Sequence, residues 1–450
     1  MELKKYKLGE ILDVTRGASL SGEFYATEGK YIRLTCGNFD YQNNCFKENK
    51  SKDNLYYIGD FKPEFLMEEG DIITPLTEQA IGLLGSTAII PESGKYIQSQ
   101  DVAKIICKEE LLDKDFVFYL ISSTLVKQQL SAAAQQTKIR HTSPDKIRDC
   151  TVWIPELTEQ KRIGKLLRSL DRKIELNRAI NQNLEAMAKQ LYDYWFVQFD
   201  FPNEDGKPYK SSGSAMVWNE ELKREIPQGW SNMSIGDYAP CKSGYAFKSK
   251  DFGGKGLPVI KIGNIQENYT LDMTDSQCID LFNKTLFLAK RYDLVIAMTG
   301  ATIGKFAISQ SNYWVNQRVG RFDLGDRPLS RLGFLFNSLK QEYFREQVFQ
   351  IACGCAQPNI SAEQIDSISI LKPNDVILNQ FNKLCEPLLE LQSENYLQIE
   401  ELTKQRDELL PLLMNGQVSV NSDLSVYKKR RGKVPSLTLN HVSDIQILQC

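Results

Sequence analysis

Histidine is nearly missing from this 450-residue chain, which holds only His141 and His441. A metal centre built on imidazole has little to draw on, and His141 has no identifiable partners with which to form a catalytic triad. The ten cysteines stand singly apart from Cys353-Gly354-Cys355, and no CxxC occurs. Reduced, buried thiols are therefore the expectation, rather than a zinc cluster or a disulfide framework. There is no run of 18 or more apolar residues, which argues against a membrane span. The opening Met1-Glu2-Leu3-Lys4-Lys5-Tyr6 lacks an apolar stretch of signal-peptide type, so a cytoplasmic location is expected. Nor is one sign of charge in excess: 55 Lys and Arg face 57 Asp and Glu, a net charge of −2.

Motifs for catalysis are also scarce. Gly300-Ala301-Thr302-Ile303-Gly304-Lys305 is one residue short of a phosphate-binding loop and puts Phe306 where a magnesium-binding hydroxyl belongs. Pro144-Asp145 followed by Asp171-Arg172-Lys173 loosely resembles a metal-dependent nuclease pattern. That chemistry clusters its carboxylates on a sheet, whereas Asp171 falls in the middle of a helical stretch. No glycine-rich methyl-donor loop follows a strand, and no Asn-Pro-Pro-aromatic tetrad occurs.

What the chain does contain is a repeat about 220 residues long. Leu8-Gly9-Glu10 is echoed by Ile235-Gly236-Asp237 and Gly37-Asn38 by Gly263-Asn264, while Asp71 to Gly82 aligns without a gap on Asp293 to Gly304. Tyr96 and Gln100 match Tyr313 and Gln317; Ile147 and Pro155 match Ile365 and Pro373. The offset drifts only from 227 to 217, so the copies differ by small insertions. That period is too long for a solenoid unit and indicates a duplicated domain. At this length two to four domains are expected in any case.

Each copy opens with short strands and glycine turns, such as Tyr31-Ile32-Arg33-Leu34 and Asp71-Ile72-Ile73-Thr74 in the first. A helical patch and a β-like run closing on Pro155 or Pro373 follow. Each copy then ends in a long helix. In the first, Ile163, Leu167, Leu170, Ile174, Leu184 and Leu191 recur at alternating steps of four and three, with Asn177 and Asn181 in the middle. In the second, Leu388, Leu391, Leu402 and Leu409 do the same around Asn395 and Gln398. This is the heptad signature of one helix packing along another. About 38 residues at ~1.5 Å each give roughly 57 Å, more than the width of a small domain.

Both copies carry a basic stretch. Residues 127–148 hold five cations against Asp145, and 242–261 hold five against Asp251, a local charge of +4 in each. Such stretches suit phosphate contacts.

The residues resemble the specificity subunit of type I restriction–modification systems over roughly 5 to 420. The resemblance is carried by Tyr192-Asp193-Tyr194-Trp195-Phe196, Phe199-Asp200-Phe201-Pro202, Ile226-Pro227-Gln228-Gly229-Trp230 and Arg406-Asp407-Glu408-Leu409-Leu410-Pro411-Leu412-Leu413. The first copy lacks the Pro-x-Gly-Trp opening, and the chain after Val420 is foreign to the pattern.

The resemblance implies an α/β (α+β) fold, in which two similar mixed α/β target-recognition domains are separated by two long antiparallel coiled-coil helices in a pseudo-twofold internal repeat. The expected boundaries are 1–157 and 229–375 for the recognition domains, 158–197 and 376–416 for the helices, 198–228 for a linker and 417–450 for a poorly packed tail. Each recognition domain would read one half of a split double-stranded DNA site. The helices would set the gap and dock two methyltransferase subunits, with motor-nuclease subunits joining for cleavage. S-adenosylmethionine, ATP and magnesium would belong to those partners and none to this chain, a non-catalytic subunit with no membrane partner.

Base reading calls for Arg or Lys against guanine and Asn or Gln against adenine. The candidate contacts are Arg16, Thr77, Gln79, Lys138, Arg140 and His141 in the first copy, and Lys242, Tyr245, Lys248, Thr299, Gln357 and Asn359 in the second. The alternatives are a coiled-coil adaptor with two protein-binding domains, and a self-sufficient nuclease or methyltransferase.

Overall fold

The computed structural model describes residues 2–78, 82–133, 140–280, 284–352 and 358–420. Three expected contacts, Gln79, Lys138 and Gln357, lie outside these ranges, as do residues 421–450 of the expected tail. The described residues divide into two compact units, one of residues 2–172 with 403–420 and the other of Lys173–Leu402.

In the first unit, strands β1 (Leu12–Arg16), β2 (Ile72–Pro75), β3 (Ala88–Ile89) and β4 (Val102–Cys107) form an antiparallel sheet in the order β1-β4-β2-β3. Ile72-Ile73-Thr74-Pro75 is buried along its whole length, as an inner strand formed from a short unbroken apolar run should be. Helix Lys114–Ile121 starts on the side chain of Asp113, which accepts from the amide of Phe116, and buries all six residues from Phe116 to Ile121.

Helix α1 then runs unbroken from Leu157 to Tyr192 and closes in a π turn at Asp193–Val197. The second unit repeats the sheet. Strands β5 (Cys241–Ser243), β6 (Leu294–Ala297), β7 (Phe306–Ile308) and β8 (Val319–Phe322) are ordered β5-β8-β6-β7, again antiparallel. Helix α2 spans Asp375–Met414. Each unit also has a second four-stranded sheet built around one parallel pair: Tyr96–Ile97 with Tyr31–Arg33 in the first, and Tyr313–Val315 with Leu257–Ile260 in the second.

Within each unit the two long helices pair antiparallel. Asp171 meets Arg406 in the first; Asn177 meets Gln398 and Asn181 meets Asn395 in the second, so numbers rise along one helix as they fall along the other. The seam differs from the leucine series expected above. Along α1 the buried side chains from Ile163 onward are Ile163, Leu167, Asp171, Ile174, Asn177, Asn181, Leu184, Ala188 and Tyr192, averaging about 3.6 residues per step. Leu170 and Leu191 sit beside the seam, half-buried. On α2 the polar Gln392 and Asn395 are buried while Leu391 is 44% exposed, and Leu388, Leu402 and Leu409 are half-buried. The cause is helical phase: a 3.6-residue repeat drifts away from strict heptads, so the seam moves onto polar residues that satisfy one another. Asn181 accepts from Asn395 Nδ2 at 2.9 Å and donates to the Gln392 carbonyl at 3.2 Å.

The stretch 198–228, expected as a linker, is built into the second unit's core. Phe199, Phe201, Leu222 and Ile226 are buried there, and Phe201 stacks on Tyr209 and on Trp230 with centroids 4.7 Å apart in both cases. Its turn formers instead close a tight loop bridged from Pro202 to Pro208, in which Asn203 Oδ1 accepts from the amides of Asp205 and Lys207, and the hairpin Met216–Asn219 with Arg224–Pro227 follows. The beginning of the expected tail is packed as well. Val418 and Val420 lie against the first unit's core, and the Val420 amide donates to Glu159 Oε1 at 2.8 Å.

Candidate nucleic-acid interface

One end of each four-stranded sheet gathers loops from distant parts of the chain. In the first unit β1 leaves the sheet at Arg16 and β2 at Pro75, while β4 enters beside them at Val102. The converging segments are therefore Arg16–Ala18, Leu76–Glu78 and Ser99–Asp101, with Arg140–His141 paired onto Thr77–Glu78 as a short antiparallel ladder. In the second unit the same end brings together Ser243–Tyr245, Met298–Thr299, Asn316–Arg318 and Pro358–Asn359.

The backbone holds both ends by the same bonds. The Leu76 amide donates to the Asp101 carbonyl at 2.8 Å, as Met298 does to Arg318 at 3.0 Å. Thr142 donates to the Leu76 carbonyl at 2.9 Å, as Ile360 does to Met298 at 3.0 Å. Ala18 and Tyr245 form parallel bridges with Ser99 and Asn316. This crossing requires glycine just before it. A Cβ on Gly17 would come 2.3 Å from the Gln98 carbonyl oxygen, and one on Gly244 would come 2.2 Å from that of Val315. At the opposite end of β2 and of β6 an ion pair ties the strand's approach to its neighbour, Lys104 with Asp71 at 2.7 Å and Arg321 with Asp293 at 3.0 Å.

Of the expected contacts, Arg16, Thr77 and His141 meet at the first end. Thr77 is buried; its hydroxyl lies 3.3 Å from His141 Nδ1 and donates to Asp101 Oδ1 at 3.4 Å. Arg16 is exposed and donates through Nε to the Gln100 carbonyl at 2.9 Å. Arg140 pairs with Glu78 in the ladder through its backbone. Cys36 lies beneath, its Sγ donating to the Thr77 carbonyl at 3.4 Å; burial pushes the thiol up to about 11, and the charge of Asp101 adds to this.

At the second end, Tyr245, Thr299 and Asn359 come together, the last two as an antiparallel bridge. Lys248 is exposed nearby. Lys242 belongs to the framework: its ammonium pairs with Asp323 and, as that carboxylate's hydrogen-bond donor, holds Asp323 below the usual range.

The basic stretches are less available than their composition suggests. Arg148 is held by Asp13, Asp145 and the Val14 carbonyl, and Lys146 donates to the Ala133 carbonyl. In the second stretch Lys261 donates to Gln277, whereas Lys248, Lys250 and Lys255 are exposed. The other nuclease-like carboxylate, Asp171, is consumed in the helix pair by Tyr119 and Arg406.

Sequence reasoning missed the turn residues Gln100, Asp101, Gln317 and Arg318. The Gln100–Gln317 identity across the copies was the available signal. It also missed an aromatic cluster in which Tyr245 packs on Phe247 and Phe287 with Lys284 over its ring at 4.8 Å. Among the described residues no group of three or more metal-ligating side chains occurs, and no helix is long and apolar enough to cross a membrane.

Comparison with known proteins adds the family. A model described as the type I restriction modification DNA specificity domain matches residues 1–186 and 227–401. The chain is 23% identical over 326 residues to the type I restriction enzyme MjaIX specificity subunit of Methanocaldococcus jannaschii, covering 72% of this chain and 73% of that one. It is 24% identical over 379 residues to the HindI specificity subunit of Haemophilus influenzae, covering 72% and 81%. In fold it is similar to the S subunit of the M. genitalium type I restriction–modification system, with a TM-score of 0.59, 16% identity and coverage of 92% and 96%.

Proposed function

The chain belongs to the type I restriction–modification DNA specificity family, and on that premise we propose that each sheet end reads one half of a two-part double-stranded DNA site. The observation that carries this reading is a single backbone framework built twice and dressed with different side chains. At equivalent places His141 stands opposite Asn359, and Arg16 opposite Ser243. Shared geometry with divergent donors and acceptors is what reading two different short sequences demands.

The recognition modules in this reading are 1–157 and 229–375, and α1 with α2 is the spacer that fixes the gap. Antiparallel pairing and the buried Asn181–Asn395 contact support that role, because a polar contact at a helix seam specifies register. Two methyltransferase subunits dock along the helices. Leu176, Met187, Leu384 and Leu391, 59, 53, 48 and 44% exposed, supply apolar surface for them. Those subunits bring S-adenosylmethionine, and motor-nuclease subunits bring ATP and magnesium chemistry. This chain contributes address and spacing, in the cytoplasm.

The test is exchange of residues 5–155 for the corresponding domain of another specificity subunit, assembled with methyltransferase subunits. The methylated motif should change in one half only. Changes in both halves, or no two-part motif from the unaltered complex, would refute the division of labour. An adaptor would give no sequence-selective methylation, and a self-sufficient enzyme would methylate DNA as the isolated chain.

A further inference from the structure

We propose that Asp101 and Arg318, equivalent residues of opposite charge at the two sheet ends, are specificity-determining residues. Asp101 accepts a hydrogen bond from the exocyclic amino group of cytosine or adenine, and Arg318 donates to guanine. The proposal rests on the reading of both sheet ends as DNA-facing.

Their equivalence is fixed by backbone alone. Each carbonyl accepts the amide of the residue just before Thr77 or Thr299, and each follows by two residues the parallel bridge to Ala18 or Tyr245. Three residues further along the same strands, Lys104 and Arg321 keep the same sign and the same partner type, Asp71 and Asp293. Where the fold itself requires a charge, therefore, the duplication has preserved it. At 101 and 318 the sign is reversed although the flanking residues are identical, Gln100 and Val102 against Gln317 and Val319. The first end also carries Arg16 where the second has Ser243, but among the described residues neither Asp101 nor Arg318 is held in an ion pair. Asp101 receives only the long 3.4 Å bond from Thr77, and Arg318 is exposed with no side-chain partner among the described residues. Both side chains are thus left available to a partner from outside.

A duplex presents two kinds of partner, and they separate the two residues. Phosphates attract Arg318 but repel Asp101, so one phosphate-binding role cannot explain both. Base edges accommodate each. A carboxylate accepts from the amino group of cytosine, and a guanidinium donates a bidentate pair to guanine O6 and N7. The neighbouring Thr77 and Thr299 hydroxyls can serve either case, which fits their being the same residue.

The experiment uses the full-length chain assembled with its methyltransferase subunits, a randomised duplex library, and sequencing of methylated products. Arg318→Gln should replace one guanine by adenine in one half-site, and Asp101→Asn should move one position of the other half toward adenine. Discrimination should change by roughly 10- to 100-fold at each position. Arg318→Lys should retain guanine with weaker discrimination, and melting of each variant reports that it is folded.

An unchanged motif from folded Gln and Asn variants would overturn the proposal. So would a uniform loss of binding with the salt slope reduced by about one, the signature of a lost phosphate contact. Absence of a two-part motif in the unaltered complex would instead defeat the underlying functional reading.

Discussion

Removing Arg406 should loosen the first unit more than any surface change can. Its side chain is 9% exposed and that of Asp171 11%, and Nη1 donates to Asp171 Oδ1 at 3.0 Å. The other carboxylate oxygen accepts from the Tyr119 hydroxyl, so Asp171 is fully engaged. Burial works against the charge on Arg406, but the charges and hydrogen bonds of Asp171 and Asp407 together outweigh it and hold the guanidinium above its ordinary pKa. In Arg406→Met the carboxylate stays buried with Tyr119 as its remaining partner, and an uncompensated buried charge costs about 3–5 kcal/mol. For a unit of this size that is a fall in melting temperature of roughly 10 °C. The double variant Asp171→Leu/Arg406→Met leaves no orphaned charge and should recover at least half of the loss. Tyr119→Phe, which removes one hydrogen bond to the carboxylate, should cost about 1.5–3 kcal/mol. Calorimetry gives the size of the effect, and hydrogen exchange across residues 157–172 and 403–414 locates it. Single variants that each lose under about 1 kcal/mol and simply add in the double would refute the account.

Two further outcomes follow from the same contacts. Excising one matched heptad from each of α1 and α2 shortens the pair by about 10 Å; methylation of substrates with graded gaps should then prefer a shorter gap, and an unchanged preference would remove the spacer role. Lys242→Met should act through Asp323, whose pKa is depressed in the fold, so the stabilisation is present above pH ~4 and lost as pH falls through the lower folded value. The variant should be less stable than the parent by at most about 1 kcal/mol at neutral pH, a discounted figure for a pair about one-third exposed. That difference should vanish in urea titrations near pH 3, and one that persists there would refute the assignment.

The duplication was legible because identical glycines, aspartates and glutamines recur at one offset, and the sheets then repeat strand for strand. The long helices were legible from apolar spacing, but the seam was not, because leucines mark only where a helix is apolar. Leu391 turns outward because Gln392 and Asn395 find partners on α1, and such pairing depends on a residue more than 200 positions away. The stretch 198–228 misled for a related reason. Its Asn, Asp, Gly and Pro do form turns, but what holds it is Phe201 inserted between Tyr209 and Trp230, a contact that no local pattern announces.

The candidate sites divide along the same line. Thr77 with His141, and Thr299 with Asn359, were chosen because their segments differ between aligned copies, and the fold brings each pair onto one ladder. Lys242 was chosen for charge alone and is spent on Asp323. Charge counts do not distinguish a residue facing out from one bracing a strand, whereas comparison of the copies does. Positions that hold the frame, such as Gly17 and Gly244 or Asp71 and Asp293, stay alike because the backbone crossing and the strand pairing depend on them. Positions at the rim can change sign because backbone hydrogen bonds, rather than side chains, carry the loop geometry. Substitution at exposed Arg318 therefore costs little stability, seldom more than about 0.5 kcal/mol, and at half-buried Asp101 the long bond from Thr77 is the side-chain contact at stake. A frame with that property can acquire a new recognition sequence without refolding.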